Sequence, residues 1–178
     1  MTFQKKYFLF FAPIFLCTLL SFRIIHDDGK VTTDQAAEYN DKIIYEQKAV
    51  DKAEGMLIDA MANYADVNGM KKAHADFLLQ IKVSTKIVKN LKKFDGENYF
   101  AKAAVVLFKS YNSVAKKEYI DVIKLYSLPD EKFTEKEEKI ANGILEQIEK
   151  KLDTAFDEFV LIQKKFAKKY DLELVHKD

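Results

Sequence analysis

Ligand and nucleophile chemistry in this 178-residue chain rests on very few side chains: His26, His74, His176 and a single cysteine, Cys17. One cysteine excludes an internal disulfide framework and any cysteine-based zinc or haem attachment site. A di-iron bundle draws Glu-x-x-His units from two separate helices. Only one such string is present, Glu173 to His176, and it lies in the last six residues. His74 with Met56, Met61 or Met70 is a conceivable haem pair, but methionines at helical spacing read as core filling. Covalent catalysis needs a nucleophile with a base in reach, and neither Cys17 nor any serine has a histidine at a suggestive spacing. The 28 acids form many i,i+4 pairs without a distinctive pattern, and there is no glycine-rich phosphate loop. Catalytic residues, metal ligands and cofactor are all assigned as none.

Two constellations remain. Tyr111 and Glu118 fall in register with Val114, Val122 and Leu125, so the carboxylate points inward or sits at an edge and reaches water. If buried it needs tyrosine or lysine partners, and Glu118 with Tyr111 is the candidate buried polar site. Lys82, Lys86, Lys89 and Lys93 share one helix face. They read either as a docking strip for an acidic partner or anionic headgroups or as a solvated face that pairs with an acidic neighbour. Gln47, Asn112, Gln147 and Gln163 lie near apolar stripes, where they would fix register or line a small pocket.

The elements that carry these residues are helical. Glycine and proline number only five and two, too few for the turns of a β-meander. Thr32 to Gln35 fits a capping box, followed by the stripe Ala36, Tyr39, Ile43, Val50, Leu57, Met61 and Tyr64. Asp66-Val67-Asn68-Gly69 reads as a turn. A second stripe runs Met70, Ala73, Phe77, Ile81, Val88, Leu91 and ends at Asp95-Gly96. The third is Phe100, Ala104, Leu107, Tyr111, Val114, Val122, Leu125, stopped at Pro129. Thr134 to Glu137 opens the fourth with a second capping box, and its stripe is Ile140, Ile144, Ile148, Leu152, Ala155, Phe159, Ile162, Phe166, Tyr170. Four long helices with short connections predict an all-α, antiparallel up-down-up-down four-helix bundle over 34–172. A polar linker (26–33) precedes it and a C-terminal tail (173–178) follows.

Charge agrees with that order. The first helix has seven acids against three lysines, and the second (Met70 to Phe94) has seven lysines against Asp76. Opposite charge favours their pairing as a hairpin, although each exposed pair is worth only about 0–1 kcal/mol.

Residues 1–25 differ from the rest. Lys5 and Lys6 precede an uncharged apolar run to Phe22, the pattern of an export signal or N-terminal membrane anchor. Cys17 after this run is a candidate lipidation site, though Leu16 stands where a small residue is expected. Beyond the leader, 26 lysines face 28 acids and no arginine remains. Lack of the bidentate guanidinium, together with near-neutral charge, argues against nucleic acid as a partner.

Phe94-Asp95-Gly96-Glu97, LFKSYNSV (Leu107 to Val114), EYIDVIKLYSLPDEKFTEKE (Glu118 to Glu137) and FVLIQKKFAKKYDLEL (Phe159 to Leu174) resemble uncharacterised exported proteins of Bacteroidetes-type bacteria. More faintly they are similar to a leptospiral surface protein family. The resemblance spans Glu38 to Leu174 and implies export, often lipid anchoring, and a helical fold; it implies no activity and no site residues. The expectation is an exported protein, periplasmic, outer-surface or membrane-anchored. It would have an interaction or structural role, no catalytic activity, and an envelope protein or the membrane surface as partner. The alternative is a bundle that binds a small ligand or cofactor in its core.

Overall fold

A computed structural model describes residues 31–63, 66–94 and 96–174. Cys17, His26, His176, Tyr64 and Asp95, the leader and most of the linker lie outside the described residues. Five helices follow in order: α1 (Thr33–Ala62), α2 (Val67–Lys89), α3 (Tyr99–Lys116), α4 (Glu118–Tyr126) and α5 (Glu135–Lys169). They form an all-helical bundle. No strand occurs among the described residues, only an isolated bridge between Phe94 and Glu97.

The helix starts follow the sequence signals. Thr32 accepts from the Gln35 amide at 3.2 Å while Gln35 Oε1 accepts from the Thr32 amide at 3.0 Å. Thr134 and Glu137 make the same reciprocal cap on α5. The reading of Asp66 to Gly69 as a turn is corrected. Asp66 Oδ1 accepts from the Gly69 amide at 2.7 Å, so Asp66 is an N-cap and Gly69 lies inside α2. At the far end of α5, Asp171 adopts φ 53° and the Leu172 amide donates to the Ala167 carbonyl at 2.9 Å. This is a Schellman closure with aspartate where glycine is usual, and it buries Leu172. Leu174, expected in the tail, packs against the core as well.

The continuous third helix is also corrected, because it breaks at Lys117 (φ −128°, ψ −76°) into α3 and α4. His74 Nε2 lies 2.6 Å from the Ala115 carbonyl. That carbonyl would otherwise accept from the residue 119 amide of a continuous helix, and a side chain donating into the ladder is a recognised cause of a helix break. An acceptor carbonyl requires the hydrogen on Nε2.

Cross-helix contacts fix the order of packing. Ser84 meets Glu46, Phe77 meets Tyr111 and Tyr119, Lys151 meets Glu118, and Gln163 meets Asn40. At the α1 N-terminal end an aromatic cluster ties all the rods together. Phe166 of α5 touches the rings of Tyr39, Phe94, Tyr99, Phe100 and Tyr170 at centroid distances of 4.8–6.2 Å. Phe94 reaches it because the turn folds back, with Phe94 and Glu97 exchanging backbone bonds of 2.7 and 2.8 Å around Gly96 at φ 73°. The stripes hold with one exception: Ile140 is exposed. The first three turns of α5 bury only Ala141 fully, while Ile144 and Leu145 are partly buried against the core.

Three glycines then separate by mechanism. Gly96 needs its positive φ, so Gly96→Ala should lower stability by about 1 kcal/mol or more. Gly55 and Gly143 are helical, and an added Cβ would meet nothing within 4 Å. Gly55→Ala and Gly143→Ala should each raise stability by about 0.5–1 kcal/mol. Urea midpoints of the three variants give the signs, and a stabilising Gly96→Ala would refute the strained turn.

Candidate functional site

Helix α1 places polar residues on its buried side. Asn40, Ile43, Gln47, Val50, Glu54, Leu57 and Met61 recur at spacings of three and four, so polar Asn40, Gln47 and Glu54 each precede an apolar residue at heptad spacing, until Met61 takes the polar place. Each finds a partner. Gln163 Nε2 of α5 donates to Asn40 Oδ1 at 3.0 Å. One turn on, the Ser84 hydroxyl of α2 donates to Glu46 Oε2 at 2.7 Å and accepts from Gln80 Nε2 at 2.9 Å. Gln47 donates to Asp51 Oδ2. The Tyr111 hydroxyl of α3 donates to Asp51 Oδ1 and the Tyr119 hydroxyl of α4 donates to Glu54 Oε1, both at 2.7 Å. Phe77 of α2 sits edge-on to both tyrosine rings, at 6.1 and 5.9 Å.

This acid–tyrosine layer has unusual electrostatics because no lysine pairs with its carboxylates among the described contacts. Burial pushes the Asp51 carboxyl up to about 6, against the lowering effect of the Tyr111 and Gln47 hydrogen bonds. Burial also pushes Glu54 up to about 7; the Tyr119 hydroxyl opposes this and the Asp51 charge adds to it. Both tyrosines are raised well above the usual phenol value, first by burial and then by the neighbouring carboxylates.

The expected polar residues Glu118 and Tyr111 divide between two helices. Both are buried, but their polar ends go to different helices. Tyr111 bonds Asp51 of α1, whereas Glu118 Oε1 accepts from Lys151 of α5, and Glu118 Oε2 has no partner among the described residues. Burial alone would raise the Glu118 pKa, but the Lys151 hydrogen bond and charge pull it below the ordinary value. The edge reading, with the carboxylate in water, is therefore corrected. Of the four amides, Gln47 and Gln163 join the buried polar ladder, Asn112 is half-buried and Gln147 is exposed. His74 serves the Ala115 carbonyl, Met61 and Met70 are core, and Met56 is exposed.

Lys82, Lys86, Lys89 and Lys93 are all exposed and make no ion pair with a described residue. Three α1 acids, Glu46, Asp51 and Glu54, bond interior partners instead. Beside these lysines stand Leu79, Val83 and Ile87, which are 59%, 41% and 42% exposed. On α1 the neighbouring surface carries Tyr45 at 72% and Met56 at 56%. Tyr45 and Ile87 line one open groove with Glu38, Asp41 and Leu91. Five of the eight large exposed apolar side chains among the described residues thus lie on one hairpin.

No group of three or more His, Cys, Asp or Glu is placed to hold a metal ion among the described residues, and no described helix is long and apolar enough to cross a membrane. Comparison with family models, curated proteins and solved structures returns no match to this chain.

The acid–tyrosine layer dictates a pH dependence. Unfolded, both carboxyls ionise near pH 4; folded, they hold their protons to about 6 and 7. The native state binds more protons across that window, so stability falls as pH rises from about 4 to 7 and then levels off. The drop is on the order of a few kcal/mol. Glu38, Glu118 and Glu137, whose pKa values are lowered, act with the opposite sign but at lower pH. Urea midpoints at pH 5 and pH 8 should therefore decrease, and Asp51→Asn with Glu54→Gln should flatten the difference. A midpoint that rises between pH 5 and 8 would contradict the placement of these acids.

Proposed function

We propose that the chain is an exported, envelope-associated helical-bundle protein with an interaction or structural role and without catalytic activity. One observation carries the interaction role: the outer face of the α1–α2 hairpin, where Leu79, Val83, Ile87, Tyr45 and Met56 are exposed beside lysines that no described acid neutralises. Contiguous apolar surface edged by charge marks interaction sites on folded proteins. Export is supported by the charged and then apolar pattern of residues 1–25 and by the resemblance to exported proteins of Bacteroidetes-type bacteria. The partner in this reading is an envelope protein or the membrane surface. The up-down-up-down order, with α3 and α4 together as the third rod, brings the α1 N-terminus, Lys86 to Lys93 and the lysines at the α5 C-terminus to one end of the bundle. A segment leading from the envelope into Thr32 would hold that basic end close to it.

A second reading, a small ligand held in the core, is favoured by the polar groups that converge at Asp51, Glu54, Tyr111 and Tyr119. In the fold those groups bond one another, so a ligand would have to exchange with existing hydrogen bonds, which costs roughly what it returns.

Intact-mass measurement on protein purified from its own membranes and extracellular fractions tests the first reading. Export predicts either loss of about 21–25 residues or a chain beginning at acylated Cys17, or the full chain in the membrane fraction if the leader is retained. Full-length protein confined to the soluble interior of the cell would sink it. A small molecule retained in native mass spectra would favour the second reading.

A further inference from the structure

We propose that the outer α1–α2 face binds a second copy of this chain, in a parallel two-fold dimer with α1 of each copy lying on α2 of the other. The proposal names a partner for the face described above and rests on that reading only in treating the face as an interaction surface.

The face is self-complementary in charge. The Glu46–Ser84 bond sets the heights of the hairpin: by antiparallel counting Tyr45 stands level with Thr85 and Asp41 with Lys89. The first turns of α1 carry Asp34, Glu38 and Asp41 against one lysine, Lys42, which pairs with Glu38 at 2.7 Å, while the facing end of α2 and its following loop carry Lys86, Lys89, Lys92 and Lys93. A two-fold axis along the bundle preserves those heights. It sets the acids of one copy opposite the lysines of the other twice, as an isologous interface requires. The perpendicular axis would instead lay α1 on α1 and α2 on α2, matching like charges, which disfavours that alternative.

The apolar groups suit the same arrangement. Tyr45 of one copy comes level with Val83 and Ile87 of the other, and Leu79 and Met56 extend the strip towards the far end. Size suits it too. The 23 residues of α2 are about 35 Å long. A face two helices wide offers about 700 Å² per copy, close to the roughly 800 Å² per partner of a standard interface. The parallel order also keeps both N-termini at one end, so two leaders could share one envelope surface.

Light scattering on the size-separated full chain, in mild non-ionic detergent and at up to roughly 0.1 mM, tests the dimer. Wild type should run at twice the 20.6 kDa chain mass. Lys86→Glu with Lys89→Glu should weaken association by about tenfold or more, and so should Glu38→Lys with Asp41→Lys. An equimolar mixture of the two double variants should recover a heterodimer, because the reversed charges again face opposite signs. All four positions are exposed, and circular dichroism confirms the helical fold of each variant. A monomeric wild type, dimers unaffected by either reversal, or a mixture that stays monomeric would each overturn the proposal. Association lost only on deletion of residues 1–25 would assign it to the leader and overturn the proposal equally. A monomer that still fractionates with the envelope would leave the envelope reading standing without the dimer.

Discussion

Helix α1 turns carboxylates and amides into the core, and every other helix is placed by the need to satisfy them. An apolar seam of leucine and isoleucine tolerates a slip by one heptad because the pattern repeats. A buried carboxylate tolerates none, since an unpaired polar group in the interior costs several kcal/mol. Asn40, Glu46, Asp51 and Glu54 therefore act as four pins at successive heights, engaging α5, α2, α3 and α4 in turn. The break at Lys117 belongs to the same scheme. It ends α3 just after Tyr111 has served Asp51 and starts α4 so that Tyr119 serves Glu54 and Glu118 serves Lys151. Such pins cost stability relative to an apolar core, and their best attested return is uniqueness of register.

The interior arrangement has consequences on the surface. Seven acids on α1 would balance the lysines of α2 if all faced outward. Three of them face inward, and two of those are held towards the neutral form by burial. The hairpin thus presents more positive charge than its sequence tally suggests, and the lysines at the end of α2 make no ion pair with a described residue. Packing and electrostatics are linked here: the choice of register pins on α1 is also the choice to leave α2 unneutralised. Of the four remaining acids, Asp34, Glu38 (paired with Lys42) and Asp41 lie in the first turns and Asp59 near the far end, so the exposed face is polarised and not merely basic.

Much of the fold was legible because it rests on local chemistry. Both capping boxes, the helix ends marked by Gly96 and Pro129 and nearly all apolar stripes follow from residue type and spacing. Gly69 misled because Asp66-Val67-Asn68-Gly69 carries turn residues that also make a good N-cap. The helix break escaped detection because its cause, His74, lies 41 residues away; neither proline nor glycine marks it. Ile140 keeps the period of its stripe but faces outward, and Ala141 takes the buried place beside it. The buried acids were harder still. With 28 carboxylates in the chain, an inward one has no distinguishing type, and stripe counting attends to apolar positions. The heptad spacing of Asn40, Gln47 and Glu54 was the available signal, interleaved with Ile43, Val50 and Leu57.

Tyrosine explains why that signal and the Tyr111–Glu118 pairing were read differently. A tyrosine at a stripe position satisfies the apolar pattern with its ring and leaves a hydroxyl to donate about 6.5 Å beyond its Cα. Its length lets it cross the core to a helix that is not its sequence neighbour. Tyr111 and Tyr119 both reach past Phe77 to α1, so the partner of each is a carboxylate about 60 residues away and not the acid two turns along its own rod. Glu118 is shorter and meets the lysine of the adjacent helix instead. In a bundle, then, side-chain length helps decide which neighbour a buried polar group finds: the long aromatic donors connect across the core to α1, and the shorter Glu118 pairs with the helix beside it. That division ties α3 and α4 to α1 through the tyrosines and α4 to α5 through Glu118.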